Sequence, residues 1–215
     1  GVNKIWRDAR LKGAGIKRAR TLVTAAEHSI GNTEAPRSAR KEIRNLLEDY
    51  EGYKKRMDEL MEEIEKTLSE IPYIDKLMEI NGIGIKAVSC FIAEVGDIGR
   101  FDNPKQVQKL AGYSIVADSS GKHKGESRIS HRGRTRLRYA LYEATISVIG
   151  KNKEFKEIHS YYRTREKNPL KKMQSVIAVA CKLIRIFYTI LTKGVDYDGQ
   201  KMLNDIVRPE IQPAA

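Results

Sequence analysis

The sequence predicts an all-α protein in which one long, coiled-coil-like helix joins a compact helical domain. Three observations support this. Apolar residues recur at helical spacing along most of the 215 residues, and only 6 residues are proline. No run of alternating β-branched residues is long enough to form a sheet. A chain of this length with 40% hydrophobic residues buries a sufficient core without disulfides or structural metals.

We predict three segments along the chain: a helical linker over 1–72, a helical domain over 73–195 and a tail without periodicity over 196–215. Within the linker, Lys17–Ser29 is predicted to form a helix, because a helical pattern there stops at a glycine and an asparagine. The next helix is expected to start near Pro36 and to run to the neighbourhood of residue 72.

Apolar residues in the second half of the linker are spaced alternately three and four residues apart, which is the a/d pattern of a coiled coil. We call them the heptad seam: Ile43, Leu46, Tyr50, Tyr53, Met57, Leu60 and Ile64. A helix with a single apolar stripe needs a partner to bury that stripe. Either an earlier segment of this chain or a second subunit would serve.

The domain over 73–195 is predicted to contain loops at 96–104 and 113–135, followed by two helices joined around Asn168-Pro169. Tyr113–Ala117 is expected to be extended, and a small hairpin with Arg128–Ser130 is possible.

Positive charge is concentrated in one part of the chain. The formal net charge is +12, and between Ser120 and Lys172 there are 15 Lys and Arg against 5 Asp and Glu. The densest run, Ser119–Arg134, is the basic loop. Such clusters attract polyanions, and phosphate contacts dominate nucleic-acid affinity. The alternative is a solvated cationic surface or a patch that binds anionic membranes. The candidate phosphate contacts in this loop are Lys122, Lys124, Arg128, Arg132 and Arg134.

A second candidate contact is the segment Ile80-Asn81-Gly82-Ile83-Gly84, which matches the helix-hairpin-helix pattern. Two glycines make a tight turn, and the helix that follows presents free N–H groups to a phosphate. Gly82, Gly84 and Lys86 are therefore candidate nucleic-acid contacts. An ordinary turn between two helices needs glycine equally.

Ser119 and Ser120 open the basic loop, and either could act as a nucleophile toward phosphorus if cations neutralise the phosphate and a base takes the proton. Only His123 or His131 could be that base within the loop, and a serine beside glycine is more often a plain loop residue. His131-x-x-Arg134, with Tyr161 and Tyr162 downstream, also resembles the order found in tyrosine recombinases. A basic loop and a packed tyrosine pair explain the same residues.

Other functional classes find little support. The two cysteines lie in apolar stretches and form neither a disulfide framework nor a zinc site, and the histidines are scattered, so no metal site is predicted. Met173–Leu191 is apolar enough to suggest a membrane span, but Lys182 and Arg185 interrupt it and favour a buried helix. Without a visible signal peptide, we expect a cytoplasmic protein. Because the sequence starts at Gly1, we also expect a fragment or a processed chain.

Several motifs in order make the chain similar to the C-terminal domain of the insertion sequence 110/116/902 family, the transposases guided by a bridge RNA. They are Ile80-Asn81-Gly82-Ile83-Gly84, Ala93-Glu94-Val95-Gly96-Asp97-Ile98-Gly99-Arg100-Phe101, Leu110-Ala111-Gly112, Ser119-Ser120-Gly121-Lys122, Arg128-Ile129-Ser130-His131-Arg132-Gly133 and Leu137-Arg138. His131 departs from the lysine that the family commonly has there.

The resemblance implies an enzyme that cuts and rejoins DNA through a serine, matched here by Ser120 with Ser119 adjacent. It adds Arg138 to the candidate DNA or RNA contacts. Family members pair this domain with an N-terminal RuvC-like domain whose carboxylates bind Mg²⁺. That half is not expected in this chain, so the fragment alone is expected to be inactive and to hold no metal. The implied partners are DNA, the guide RNA and further copies of the protein. The alternative is a non-catalytic helix-hairpin-helix module that binds nucleic acid.

Overall fold

The computed structural model describes residues 15–29, 36–116, 119–120, 123–124 and 128–204, and the side chains of residues 36, 119, 120, 123 and 124 lie outside the described part. The protein is all-α, as predicted. Its helices within the described ranges are α1 (Ile16–Glu27), α2 (Pro36–Ser69), α3 (Ile74–Met78), α4 (Ile85–Val95), α5 (Pro104–Leu110), α6 (Thr135–Lys151), α7 (Lys153–Thr164), α8 (Lys172–Lys193) and α9 (Gly199–Leu203), with a 3-10 turn at Ile98–Arg100.

The chain divides into two compact units, Gly1–Asp58 and Glu59–Ala215. The heptad seam on α2 is exposed except at its last residue, Ile64, which is partly buried against the core of the second unit. Its residues from Ile43 to Leu60 each retain between 56% and 66% of their surface in solvent. Among the described residues, therefore, no earlier segment of this chain covers the seam.

The second unit is built on a core that α4, α6, α7 and α8 share. Leu137 of α6, Phe155 of α7 and Leu183 of α8 are completely buried. The Phe91 ring on α4 meets the Phe187 ring on α8 edge-to-face, with centroids 5.0 Å apart. Such a geometry adds about 0.5–1.5 kcal/mol to the burial of the two rings. The core is thus a packed set of helices without a central sheet.

Side-chain caps fix the boundaries of several of these helices. Asn103 accepts a hydrogen bond from the Lys105 amide at the start of α5, with Pro104 as the first helical residue. Asn152 separates α6 from α7 and accepts from the Phe155 amide. Each cap satisfies an N–H group that has no partner within its own helix.

Helix α8 is a core helix. It is long and apolar enough to cross a membrane, but half of its most apolar window is buried inside the protein. Its buried face carries eight residues that include Val179, Leu183 and Ile190. The Gln108 amide group also donates to the Cys181 carbonyl in the middle of the helix. These contacts explain its hydrophobicity without a membrane.

The predicted small hairpin is confirmed and is longer than expected. β1 (Ile115–Val116) pairs antiparallel with β4 (Arg128–Ile129), and β2 (Ser119–Ser120) pairs antiparallel with β3 (His123–Lys124). The second pair is nested inside the first along the chain, and we call the four strands together the hairpin arm.

The tail over 196–215, predicted to lack periodicity, contains the short helix α9 within its described residues up to 204. Asp198 caps α9 by accepting from the Lys201 amide, and Met202 and Leu203 of α9 are buried in the core. A five-residue helix is too short for its periodicity to be recognised in sequence. Residues 205–215 lie outside the described part.

Candidate nucleic-acid interface

The hairpin arm rises from a neck in which two distant segments meet. We define the neck as residues 110–113 and 130–134. The Ser130 amide donates to the Ser114 carbonyl at 2.8 Å, and the Arg134 amide donates to the Leu110 carbonyl at 2.8 Å. Two of the motifs named above, Leu110-Ala111-Gly112 and His131-Arg132-Gly133, are therefore the two sides of one structure.

Glycines make this neck possible because its two sides approach at backbone distance. A Cβ on Gly133 would lie 2.6 Å from the Gly112 nitrogen and closer still to the Leu110 carbonyl oxygen. Gly112 has a φ of +76°, where other residues are strained, and a Cβ there would lie 2.7 Å from Arg138 Nη1. A side chain at Gly133 would push the two sides apart, whereas one at Gly112 would strain the backbone and displace the Arg138 guanidinium.

Arg138 binds the neck from the first turns of α6. Its Nη1 donates to the carbonyl oxygens of His131 at 3.2 Å and Ala111 at 3.3 Å, one on each side of the neck. The Tyr113 hydroxyl donates to the Arg138 carbonyl at 3.1 Å, and burial raises the pKa of that phenol. Arg138, predicted as a nucleic-acid contact, thus has its guanidinium engaged by backbone carbonyls of the protein.

The predicted nucleophiles lie on the inner strand pair of the arm. In the register, Ser119 is opposite Lys124 and Ser120 is opposite His123. The side chains of Ser119, Ser120 and Lys124 lie outside the described residues, as does the whole of Lys122.

The other predicted cations of the loop differ in their surroundings. Arg128 is exposed on β4, and Arg132 is exposed in the neck. Arg134 donates from Nη1 to the carbonyl oxygen of Glu94 at 2.7 Å, with the Glu94 carboxylate 3.5 Å away. The neck is thereby tied to the last turn of α4. Glu94 was not predicted as a site residue, because a single acidic residue on a helix carries no signal until its partner is known.

The predicted glycine turn at residues 80–84, which we call the hairpin, precedes α4 and is distinct from the hairpin arm. It packs against the C-terminal end of α6. Gly82 has a φ of +100°, and a Cβ there would lie 2.9 Å from the Val148 Cα. The Ser147 hydroxyl donates to the Gly82 carbonyl at 2.7 Å. The Asn81 side chain donates to the Lys151 carbonyl at 3.0 Å. Gly82 is thus required for packing, independently of any phosphate.

Gly84, the second glycine of this hairpin, and Lys86 are exposed. Gly84 precedes the first residue of α4 in an extended conformation, and a Cβ on it would meet no atom within 4 Å. Lys86 in the first turn is exposed. A phosphate could approach the helix N-terminus here, where the dipole favours an anion.

The structure does not bring the two predicted contact regions together. Helix α4 runs antiparallel to α6, since Gly82 meets Val148 while Glu94 meets Arg134. Fourteen residues of helix separate those two positions on α6, about 21 Å at 1.5 Å per residue. The hairpin and the arm are therefore at opposite ends of α6. The distance of about 21 Å corresponds to about six nucleotides along one DNA strand.

The remaining candidates are placed as follows. Tyr161 and Tyr162 are half-buried on α7, and their ring centroids are 5.9 Å apart. The Arg165 guanidinium lies over the Tyr162 ring. Among the described residues, no group of three or more His, Cys, Asp or Glu side chains could hold a metal ion.

Comparisons with known proteins agree with the motifs. The sequence profile described as Transposase IS116/IS110/IS902 family matches residues 74–162, from α3 through the arm to α7. The chain is 27% identical over 136 residues to "Putative transposase y4rJ" of Sinorhizobium fredii, which covers 62% of this chain and 34% of that protein. It is 30% identical over 125 residues to the pilin gene-inverting protein of Moraxella bovis, which covers 57% of this chain and 38% of that protein. A pilin gene-inverting protein of Moraxella lacunata matches to the same extent. The chain spans about a third of the length of these relatives, and its residues 74–162 are similar to the IS116/IS110/IS902 transposase family.

Proposed function

We propose that this chain is the DNA-binding, serine-bearing part of a transposase that cuts and rejoins DNA. The observation that carries the proposal is the position of Ser119-Ser120. This dipeptide forms a strand of a cation-rich arm, and a glycine-lined neck anchors the arm to three helices. The names of the Moraxella relatives describe inversion of a gene, which requires strands to be cut and rejoined.

The proposed chemistry is attack on a DNA phosphorus by the Ser120 hydroxyl, with Ser119 as the adjacent candidate. A bond forms between the serine oxygen and phosphorus, the bond from phosphorus to one strand's sugar oxygen breaks, and that oxygen takes up a proton. The serine proton passes to a base. His123 is the better candidate, because it is opposite Ser120 in the register, whereas His131 belongs to the neck. Lys122, Lys124 and Arg128 would neutralise the phosphate.

The described residues do not fit the Mg²⁺ that the resemblance implies, since they contain no cluster of metal ligands. We therefore derive no step through a metal from this chain. Our proposal assigns the Mg²⁺ carboxylates to a RuvC-like domain of the full-length protein.

The proposed assembly includes further copies of the protein and a guide RNA. The exposed heptad seam supports an oligomer, because six apolar residues on one face of α2 are uncovered. Sedimentation of the purified chain tests it, and a monomer at micromolar concentration would contradict it. The guide RNA is proposed from the family resemblance alone.

The decisive experiment is to trap covalent protein–DNA adducts. The full-length enzyme is incubated with paired DNA ends, denatured and examined for a DNA-linked peptide. Replacing Ser120 and Ser119 together with alanine should abolish the adduct while DNA binding is retained, and the two single variants identify the nucleophile. Adducts that persist in the double variant would refute the serine mechanism, and an adduct on Tyr161 or Tyr162 would support a tyrosine recombinase.

A non-catalytic nucleic-acid-binding module is the second candidate, and the exposed Gly84 and Lys86 at the N-terminus of α4 favour it. Both functions predict DNA affinity that falls steeply with salt. Only the catalytic function predicts an adduct, so the same experiment separates them.

A further inference from the structure

We propose that the junction between α7 and α8 binds a backbone phosphate of the same DNA that the hairpin arm engages, through Arg163, Lys172 and His159. This inference rests on the proposed DNA-binding function and adds a site beyond the arm and the hairpin. We call these three residues the junction cluster.

The hairpin arm does not account for the positive charge around the junction cluster. The +10 excess between Ser120 and Lys172 divides equally between two halves. Residues 120–150 hold seven Lys and Arg against two Glu, and residues 151–172 hold eight against three. The second half contains α7 and the loop that leads into α8. Half of the excess charge therefore lies beyond residue 150, outside both the arm and its neck.

Packing gathers part of that charge in one place. His159 on α7 lies against the first turn of α8, where its Nδ1 is 2.8 Å from the buried Ser175 Oγ. The same hydroxyl donates to the His159 carbonyl at 3.1 Å, which holds the two helices in register. Arg163, one turn further along α7, and Lys172, at the start of α8, are both exposed.

The positive charges of Arg163 and Lys172 affect the protonation of His159. Burial and the positive charges of Arg163 and Lys172 lower the pKa of His159. Neither Arg163 nor Lys172 forms an ion pair with another described residue, and the first turn of α8 contains no acidic side chain. Lys172 lies at the N-terminal, positive end of the α8 dipole, where a cation is unfavourable unless an anion is nearby. A phosphate would relieve that repulsion.

The junction cluster lies at the arm end of the unit. Helix α5 runs antiparallel to α8, because the Tyr188 hydroxyl donates to the Phe101 carbonyl and Gln108 donates to the Cys181 carbonyl. The arm leaves α5 beyond Gln108, in the direction of the α8 N-terminus. Lys172 lies nine residues past Cys181 in that direction, about 14 Å. The arm and the junction cluster therefore lie toward the same end of α8, so one DNA molecule can contact both regions.

The test compares two double variants of the full chain on a duplex oligonucleotide of about 20 base pairs. Arg163→Gln with Lys172→Gln removes two charges from the junction. Lys193→Gln with Lys201→Gln removes two exposed charges from the far end of α8 and from α9. Losing two phosphate contacts should reduce the slope of log affinity against log salt by about 1.8 and weaken binding at 0.1 M salt by at least about tenfold.

We expect the junction variant to show this loss and the far-end variant to bind within about twofold of the unmodified chain, with equal melting temperatures. Equal losses in the two variants, or none in either, would overturn the inference. The proposed function fails separately, if the unmodified chain binds no DNA or the full-length enzyme forms no adduct. As a second readout, the His159 ring titration followed by NMR should move to higher pH when DNA is bound, and an unchanged titration would contradict phosphate binding there.

Discussion

The two ends of α6 are built around glycine in different ways. At the C-terminal end, the hairpin that packs on Ser147 and Val148 comes from one continuous stretch of sequence. At the N-terminal end, the neck joins segments that are about twenty residues apart, and Gly112 and Gly133 let their backbones touch. The hairpin is formed by residues that are close in sequence, whereas the neck forms only when two segments that are distant in sequence pack together.

A second comparison, among the glycines themselves, distinguishes two roles that look alike in sequence. Gly82 and Gly133 are both fixed by contacts within the protein, where a Cβ would meet backbone atoms. Gly84 has open space around it and is the hairpin glycine free to receive a ligand. A glycine-rich motif therefore does not by itself mark a phosphate site, even within a basic protein.

The largest effect is expected from Gly133→Ala in the neck. The added Cβ would collide with the backbone of residues 110 and 112, so we expect a loss of about 3 kcal/mol in the free energy of unfolding. Gly150→Ala is the matched control, because that glycine lies in α6 and a Cβ added to it would meet no atom within 4 Å. It should stabilise the protein by about 0.5–1 kcal/mol. Urea denaturation measures both, and a harmless Gly133→Ala would mean that the neck is not closely packed.

A smaller effect is expected at the other end of α6, from Gly82→Ala. Strain at a positive φ and contact with the Val148 backbone should cost about 2 kcal/mol or more. Gly84→Ala should cost less than about 1 kcal/mol, because a helix N-cap is the only feature disturbed. If the two variants were equally stable in urea, the hairpin would not dock on α6 as the structure shows.

A smaller loss of stability than for Gly133→Ala or Gly82→Ala is expected from Arg138→Met, which removes the hydrogen bonds to both sides of the neck. We expect a loss of about 1–2 kcal/mol, with no change in the salt dependence of DNA binding. Arg132→Met should show the opposite behaviour, because that side chain is exposed. Its stability should change by less than about 0.5 kcal/mol, and the salt slope should fall by about 0.9. A reduced salt slope for Arg138→Met would restore it as a DNA contact.

Much of the fold could be predicted because helices are encoded locally. The heptad spacing from Ile43 to Ile64 predicted the long helix α2, and the break at Asn168-Pro169 predicted the boundary between α7 and α8. α9 was not predicted because five residues show no period; the Asp198 cap and the burial of Met202 and Leu203 against the core stabilise it. The site was predicted in part. The basic loop and its small hairpin were recognised, but Arg138 and Arg134 could not be told apart from Arg132 by charge alone.

The amino-acid sequence by itself determined that the chain is helical, that its positive charge is concentrated between Ser120 and Lys172, and that its motifs are those of a transposase family. These properties depend on neighbouring residues, so they can be read without coordinates. Only the tertiary structure decided which cations are engaged by carbonyl oxygens and that the hairpin and the arm occupy opposite ends of α6. It also decided that Arg163 and Lys172 lie close enough to His159 to lower its pKa. Those relations depend on how helices pack, and packing joins residues that the sequence keeps far apart.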